Sequence, residues 1–137
     1  MTLQQRIDEL VDDELMPLND LCFTKESGSF KLKKGLRVCL RECDGAKCES
    51  TEGENLVEFV ECDNAEVESF KEGVLRFHKC KSVKKIKVEE KGILNIAGAK
   101  IEDLDLKECE ATLMDCKPEK GKIEKRQIYS IKNEWQK

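Results

Sequence analysis

Eight cysteines and one histidine are the side chains of this 137-residue chain with the most distinctive chemistry. Thiolates and imidazoles bind zinc, paired thiols close disulfides, and a Cys–His contact makes a nucleophile. Spacing decides among these. No Cys-x-x-Cys pair occurs, and the closest cluster is Cys39-x3-Cys43-x4-Cys48. The single histidine, His78, has no second ligand near it in sequence, so no metal site is expected. No Gly-x-Ser-x-Gly and no phosphate-cradling glycine loop is present, so no catalytic residues are assigned and the chain is read as not an enzyme. The many carboxylates read as a solvated face. A carbohydrate groove would want more length and aromatic platforms than the lone Tyr129 and Trp135 supply. No cofactor and no small-molecule substrate are expected.

The cysteines become informative once their period is seen. Val38-x-Leu40-x-x-Cys43-x-x-Ala46 returns as Val57-x-Phe59-x-x-Cys62-x-x-Ala65 and Leu75-x-Phe77-x-x-Cys80-x-x-Val83. It weakens at Ile93-x-Asn95-x-x-Gly98-x-x-Ile101 and recovers at Ala111-x-Leu113-x-x-Cys116. A fixed period of roughly 20 residues marks a solenoid, whose coils bury their apolar sides by stacking. The linking segments, such as Glu68-x-Phe70-x-x-Gly73 and Ile86-x-Val88-x-x-Lys91, alternate with period two, which is strand patterning. The fold class expected is all-β: a short single-stranded, right-handed β-solenoid of about five coils of 18–19 residues, over residues 30–116. A leucine-rich repeat is the rival, because Ile101-x-x-Leu104-x-Leu106-x-x-Cys109-x-Ala111 fits its signature. Its repeat of about 20–29 residues is too long, since each coil must hold a helical return.

A stacking register of 18 places outward side chains of opposite sign together. Glu58 meets Arg76, Glu61 meets Lys79, Asp63 meets Lys81, Lys85 meets Asp103, and Lys87 meets Asp105. Such cross-strand pairs contribute roughly 0.2–1 kcal/mol each. Inside the coils, Cys43, Cys62, Cys80 and Cys116 should form a buried ladder of free thiols, with Gly98 on the remaining rung. Only a corner just before Cys43 lets both Leu40 and Cys43 point inward. Disulfides remain open for Cys22, Cys39, Cys48 and Cys109, although the chain starts without a signal-like segment, which points to a reducing, cytoplasmic setting.

One domain is expected, spanning 1–137. Thr2 and Gln5 form a capping-box pattern, Leu3, Ile7, Leu10 and Val11 share a helical face, and Pro17 stops the helix. The helix of residues 2–15 is read as the cap of the solenoid's open end, with docking into a partner's groove as the other role. Residues 117–137 form a basic tail with a terminal strand around Ile128, Tyr129 and Ile131. The segment 1–21 carries a net charge of −5 and the segment 117–137 carries +4, within a total of −4. Without a coherent basic face, nucleic acid is not an expected partner, and no apolar run is long enough to suggest a membrane.

The segments Phe59-Val60-Glu61-Cys62-Asp63-Asn64-Ala65 and Phe77-His78-Lys79-Cys80-Lys81-Ser82-Val83 resemble coils of one β-helix superfamily. It includes the C-terminal domain of cyclase-associated protein and the domain of tubulin-folding cofactor C, and the likeness covers roughly residues 36–116. The resemblance implies cytoskeletal function. The cofactor C branch supplies an arginine to a GTPase one coil past a cysteine. The matching Gly92-Ile93-Leu94-Asn95-Ile96 has none, so that activity is not carried over. The cyclase-associated branch implies actin binding and dimerisation through a C-terminal strand, but no actin-contact motif matches here.

The expected function is therefore a protein-interaction or assembly module, binding a protein partner or forming a homo-oligomer. A self-assembling rod or spike-like component and a leucine-rich-repeat-like binding protein are the alternatives. In the 18-residue register an outward strip of Val60, His78, Ile96 and Met114, flanked by Leu94 and Thr112, is the candidate partner-binding surface. A one-residue slip in that coil would instead turn Leu94 and Ile96 inward and release Asn95 from the core.

Overall fold

The computed structural model of the chain describes residues 2–12, 21–33, 35–122 and 128–131. Helix α1 (Leu3–Asp12) precedes β1 (Leu21–Thr24), β2 (Ser29–Leu32), β3 (Arg37–Arg41), β4 (Lys47–Thr51), β5 (Leu56–Val60) and β6 (Ala65–Lys71). There follow β7 (Val74–His78), β8 (Ser82–Glu89), β9 (Ile93–Ala97), β10 (Lys100–Leu106), β11 (Glu110–Met114), β12 (Lys117–Lys120) and β13 (Ile128–Ile131). Odd strands form a seven-stranded sheet and even strands a six-stranded one, and every pairing is parallel to the strand two further on. The chain is a β-solenoid of about six turns, each giving one strand to each sheet.

Alternation within the strands makes this possible. β3, β5, β7, β9 and β11 each bury their second and fourth residues, which face the other sheet. The fourth positions stack Leu40 on Phe59 and Phe59 on Phe77, with the two rings parallel and 4.9 Å apart. The even strands answer with Phe30, Val67, Phe70, Ile86 and Leu104, all buried. At about 25 cal/mol per Å² such burial is the main stabilising term.

The corner before each ladder position is where sequence and coil meet. Glu42, Glu61, Lys79, Gly98 and Asp115 all have positive φ, between 50° and 67°, and each precedes the inward residue that opens the corner. Those inward residues are Cys43, Cys62, Cys80, Ala99 and Cys116, all buried. The ladder is therefore as expected except at one rung, which Ala99 fills and Gly98 does not. The reason is the slip. Phe77 pairs with Ile96, a register offset of 19, while Val83 pairs with Ile101, an offset of 18. The fourth coil gains a residue before β9 and loses it again at the next corner.

Two boundaries also differ. The solenoid begins at β1, not residue 30, and Lys117–Lys120 is a further strand paired with β10, not the start of a tail. β13 does add a last strand beside β11, at the residues expected for a terminal strand.

The helix caps the N-terminal end. Thr2 and Gln5 make the reciprocal capping box, with N···O distances of 2.8 and 3.1 Å. Leu3 and Ile7 are buried in the core and Leu10 packs against it. The Val11 side chain and the expected stop at Pro17 lie outside the described residues. Arg6 stacks over the Phe23 ring at 5.3 Å and pairs with Glu26.

Candidate functional site

The two sheets present unlike outer faces. On the even strands every side chain that is not buried is Lys, Glu, Asp or Ser. These interlock across coils: Lys47 reaches Glu66 and Glu68 at 3.6 and 3.4 Å, and Lys85 reaches the same Glu68 at 3.4 Å. The two lysines hold the Glu68 carboxyl below its ordinary range against the opposing effect of partial burial. Lys85 stands beside Asp103 and Lys87 beside Asp105, as the register of opposite charges requires. Glu58 stands beside Arg76 in the same way on the other sheet. Glu61 and Lys79 are instead corner residues of successive coils. The even face is satisfied by its own ions.

The odd face is different. Its first positions run Arg37, Leu56, Val74, Ile93 and Glu110, placing three half-buried aliphatic side chains in a column. Its fifth positions carry Arg41, Val60 and His78, and on the next coils Ala97 beside Met114. Met114 is 41% exposed, the one exposed large hydrophobic among the described residues. Between the columns lie Cys39, Glu58, Arg76, Asn95 and Thr112, and Glu58 contacts His78 at 3.5 Å. Val60, His78 and Met114 thus stand on one outward face, as expected.

Leu94 and Ile96 do not join them. They are buried at 0% and 3% exposure, and the slip turns Asn95 outward in their place. An Asn inside this aliphatic core would leave an unpaired amide, so the extra residue before β9 removes a polar burial cost. Ala97 occupies the outer position that the unbroken register assigns to Ile96. The column of Leu56, Val74 and Ile93 escapes the sequence reading, although a signal exists: each of the three directly precedes an inward apolar residue, where the even strands mostly carry a charged residue or serine.

That column borders an open cleft of about 500 Å³ at the coil corners, lined in part by Gly35, Arg37, Asn55, Glu72, Gly73 and Lys91. Asn55 is buried but fully engaged. Its Oδ1 accepts the Leu36 N–H at 2.9 Å, and its Nδ2 donates to Glu52 O and Gly53 O at 2.9 and 3.1 Å. It shapes the corner and offers nothing to a ligand.

The ladder thiols are equally engaged. The Cys62 thiol lies 3.2 Å from Leu40 O on the preceding coil, and its sulfur accepts the Cys43 N–H at 3.3 Å. Cys80 and Cys116 approach Phe59 O and Ile96 O in the same way. Cysteine suits this rung because one small side chain fills the corner and bonds to the coil beneath. Burial pushes the Cys43 thiol up to about 11 and the Cys48 thiol up to about 12. A hydrogen bond with Cys80, together with burial, raises Cys62 further. None of these three is poised as a nucleophile or a metal ligand. No group of three or more His, Cys, Asp or Glu among the described residues is arranged to hold a metal. No helix of the described residues is long and apolar enough to cross a membrane.

No protein-family model, curated protein or solved structure matches this chain.

Proposed function

We propose that this chain is a non-enzymatic protein-binding module whose docking surface is the outer face of the odd-strand sheet. The asymmetry between the two outer faces carries this reading. One face is covered by charges that neutralise one another, while the other carries half-buried Leu56, Val74, Ile93 and Val60, with exposed Ala97 and Met114, in two columns. Apolar residues gathered on one face of a small rod favour contact with another protein over solvent. The occupant proposed is a partner protein with an uncharged, apolar contact surface, because the central Glu58–Arg76 pair leaves little net charge to steer a charged one. A cytoskeletal partner, implied by the resemblance of the coils, belongs to the same proposal, as does a reducing, cytoplasmic setting.

Self-assembly into a rod is the second reading, and the ends of the even-strand sheet argue against it. The first end is covered by α1. At the other, the Lys117 N–H is directed back to Ala99 O, so the next nitrogen, that of Pro118, faces the open side and has no hydrogen to offer a further coil.

Affinity capture with the wild-type chain, Met114→Glu and Lys87→Glu tests the proposal. Partners retained by wild type and Lys87→Glu but lost from Met114→Glu are the expected result. Equal capture by all three would overturn the docking surface, and sedimentation showing open-ended growth with concentration would favour the rod.

A further inference from the structure

Six of the eight cysteines are buried, but Cys22 is exposed and Cys39 half-exposed. These two are also register partners: Cys22 of β1 lies directly beside Cys39 of β3, and both project from the outer face. Directly paired residues on neighbouring strands have Cα atoms about 4.8 Å apart, within the 4.4–6.8 Å span that a disulfide bridges. A small hollow lined by Cys22, Arg37, Cys39 and Glu58 leaves the pair open to solvent. On its far side Cys39 has the Glu58 carboxylate, with Sγ 4.0 Å from Oε1. The ladder cysteines also neighbour one another, yet their sulfurs are buried and bonded to backbone, so an oxidant cannot reach them.

We propose that Cys22 and Cys39 form a dithiol modification site that closes to a disulfide by exchange with a small-molecule disulfide of the glutathione class. The exposed Cys22 attacks first, as its thiolate. Its sulfur bonds to one sulfur of the reagent, the reagent's S–S bond breaks, and one thiolate leaves to take up a proton. Cys39, half-buried beside Glu58 and held protonated above its ordinary range by burial and by its two neighbours, then gives up its proton and attacks the Cys22 sulfur. The second reagent thiol leaves with that proton. Two protein thiols are oxidised by two electrons and one small disulfide is reduced to two thiols.

The position gives the bond a consequence. β1 pairs with β3 alone, so the first coil has one neighbour where inner coils have two. Terminal repeats of this kind open most readily. A Cys22–Cys39 bond fastens β1 to the second coil, and with it Phe23, over which the Arg6 of the capping helix stacks. Oxidation therefore locks the capped end, and reduction releases it. This holds whether or not the odd face binds a partner.

The test is to treat the full chain under native conditions with oxidised glutathione, then map peptides by mass spectrometry. The expected product is two hydrogens lighter, carries a Cys22–Cys39 crosslink, melts several degrees higher and exchanges β1 amide hydrogens more slowly. Cys39→Ser should stop at a stable glutathione adduct on Cys22, and Cys22→Ser should give no crosslink. A wild-type chain that keeps both thiols free, or that accumulates only a stable adduct, would overturn the proposal. So would a crosslink that leaves both melting and β1 exchange unchanged, since the locking role would then be gone.

Discussion

The side chain of Gln4 stands in for a strand. Its Nε2 donates to Lys31 O at 3.2 Å, and its Oε1 accepts the Lys31 N–H, so one residue of β2 is paired on its open side by a helix. An edge strand otherwise offers these groups to any passing chain. The cap therefore works in two ways, covering core through Leu3 and Ile7 and occupying backbone through Gln4.

Replacing Gln4 with Ala removes both bonds to Lys31, and the exposed bond from its Nε2 to Asp8 Oδ1, while leaving the buried helix face intact. Stability should fall by about 0.5–1.5 kcal/mol per lost bond, towards the lower end because water reaches Lys31. Denaturant titration measures that loss. Sedimentation should also show association absent from wild type, and a variant as stable and as little associated as wild type would refute the role given to Gln4.

Ile96 and Met114 lie on successive coils but face opposite ways. Ile96→Glu puts a charge into the aliphatic core with no partner, costing several kcal/mol and unfolding the chain. Met114→Glu adds a charge at an exposed position and should change stability by less than about 0.5 kcal/mol. Circular dichroism melts of the two variants check both, and a folded, fully stable Ile96→Glu would show that the register at β9 is wrong.

This pair also marks how far the sequence is legible. The period, the two-residue alternation, the capping box and the cysteine ladder are all local or strictly repeated signals, so spacing alone places residues such as Cys43 and Phe59 correctly. The slip at β9 is not decidable from spacing, because Ile93, Leu94 and Ile96 supply apolar residues to either register. Only the cost of burying Asn95 separates the two. The outer column of Leu56, Val74 and Ile93 stays hidden because consecutive apolar residues blur a period-two pattern. The facing of Cys22 and Cys39 depends on a first coil with a register offset of 17, shorter than the clear repeats.

Gly73 is required because its backbone passes too close to the neighbouring coil for a side chain. A Cβ there would lie 2.0 Å from Asn55 O on the preceding coil, the same carbonyl that accepts the Val74 N–H at 2.9 Å. Gly73→Ala must therefore push the coils apart at this corner, at a cost of roughly 1–3 kcal/mol. Gly45 has open space around it and a φ of +73°, so Gly45→Ala meets only backbone strain of about 1 kcal/mol. Urea unfolding should rank Gly73→Ala as the more damaging, and the reverse order would contradict the stacking described.

Alkaline pH should destabilise the fold through its buried thiols. The ordinary thiol value is 9.0, but burial holds Cys43 near 11 and Cys48 near 12 in the folded chain. Between 9.0 and those raised values the unfolded chain loses protons that the native chain keeps, so unfolding becomes more favourable as pH rises. The contribution of these thiols is complete below about pH 9 and is lost progressively as pH climbs through the folded values. Urea midpoints measured from about pH 7 to 10.5 should be insensitive to these thiols up to about 9 and decline above it. Cys48→Ala removes one of the titrating groups, so its midpoint, lower at neutral pH from the lost packing, should decline less steeply than wild type. Parallel alkaline slopes for the two proteins would mean that Cys48 is not held protonated by its burial.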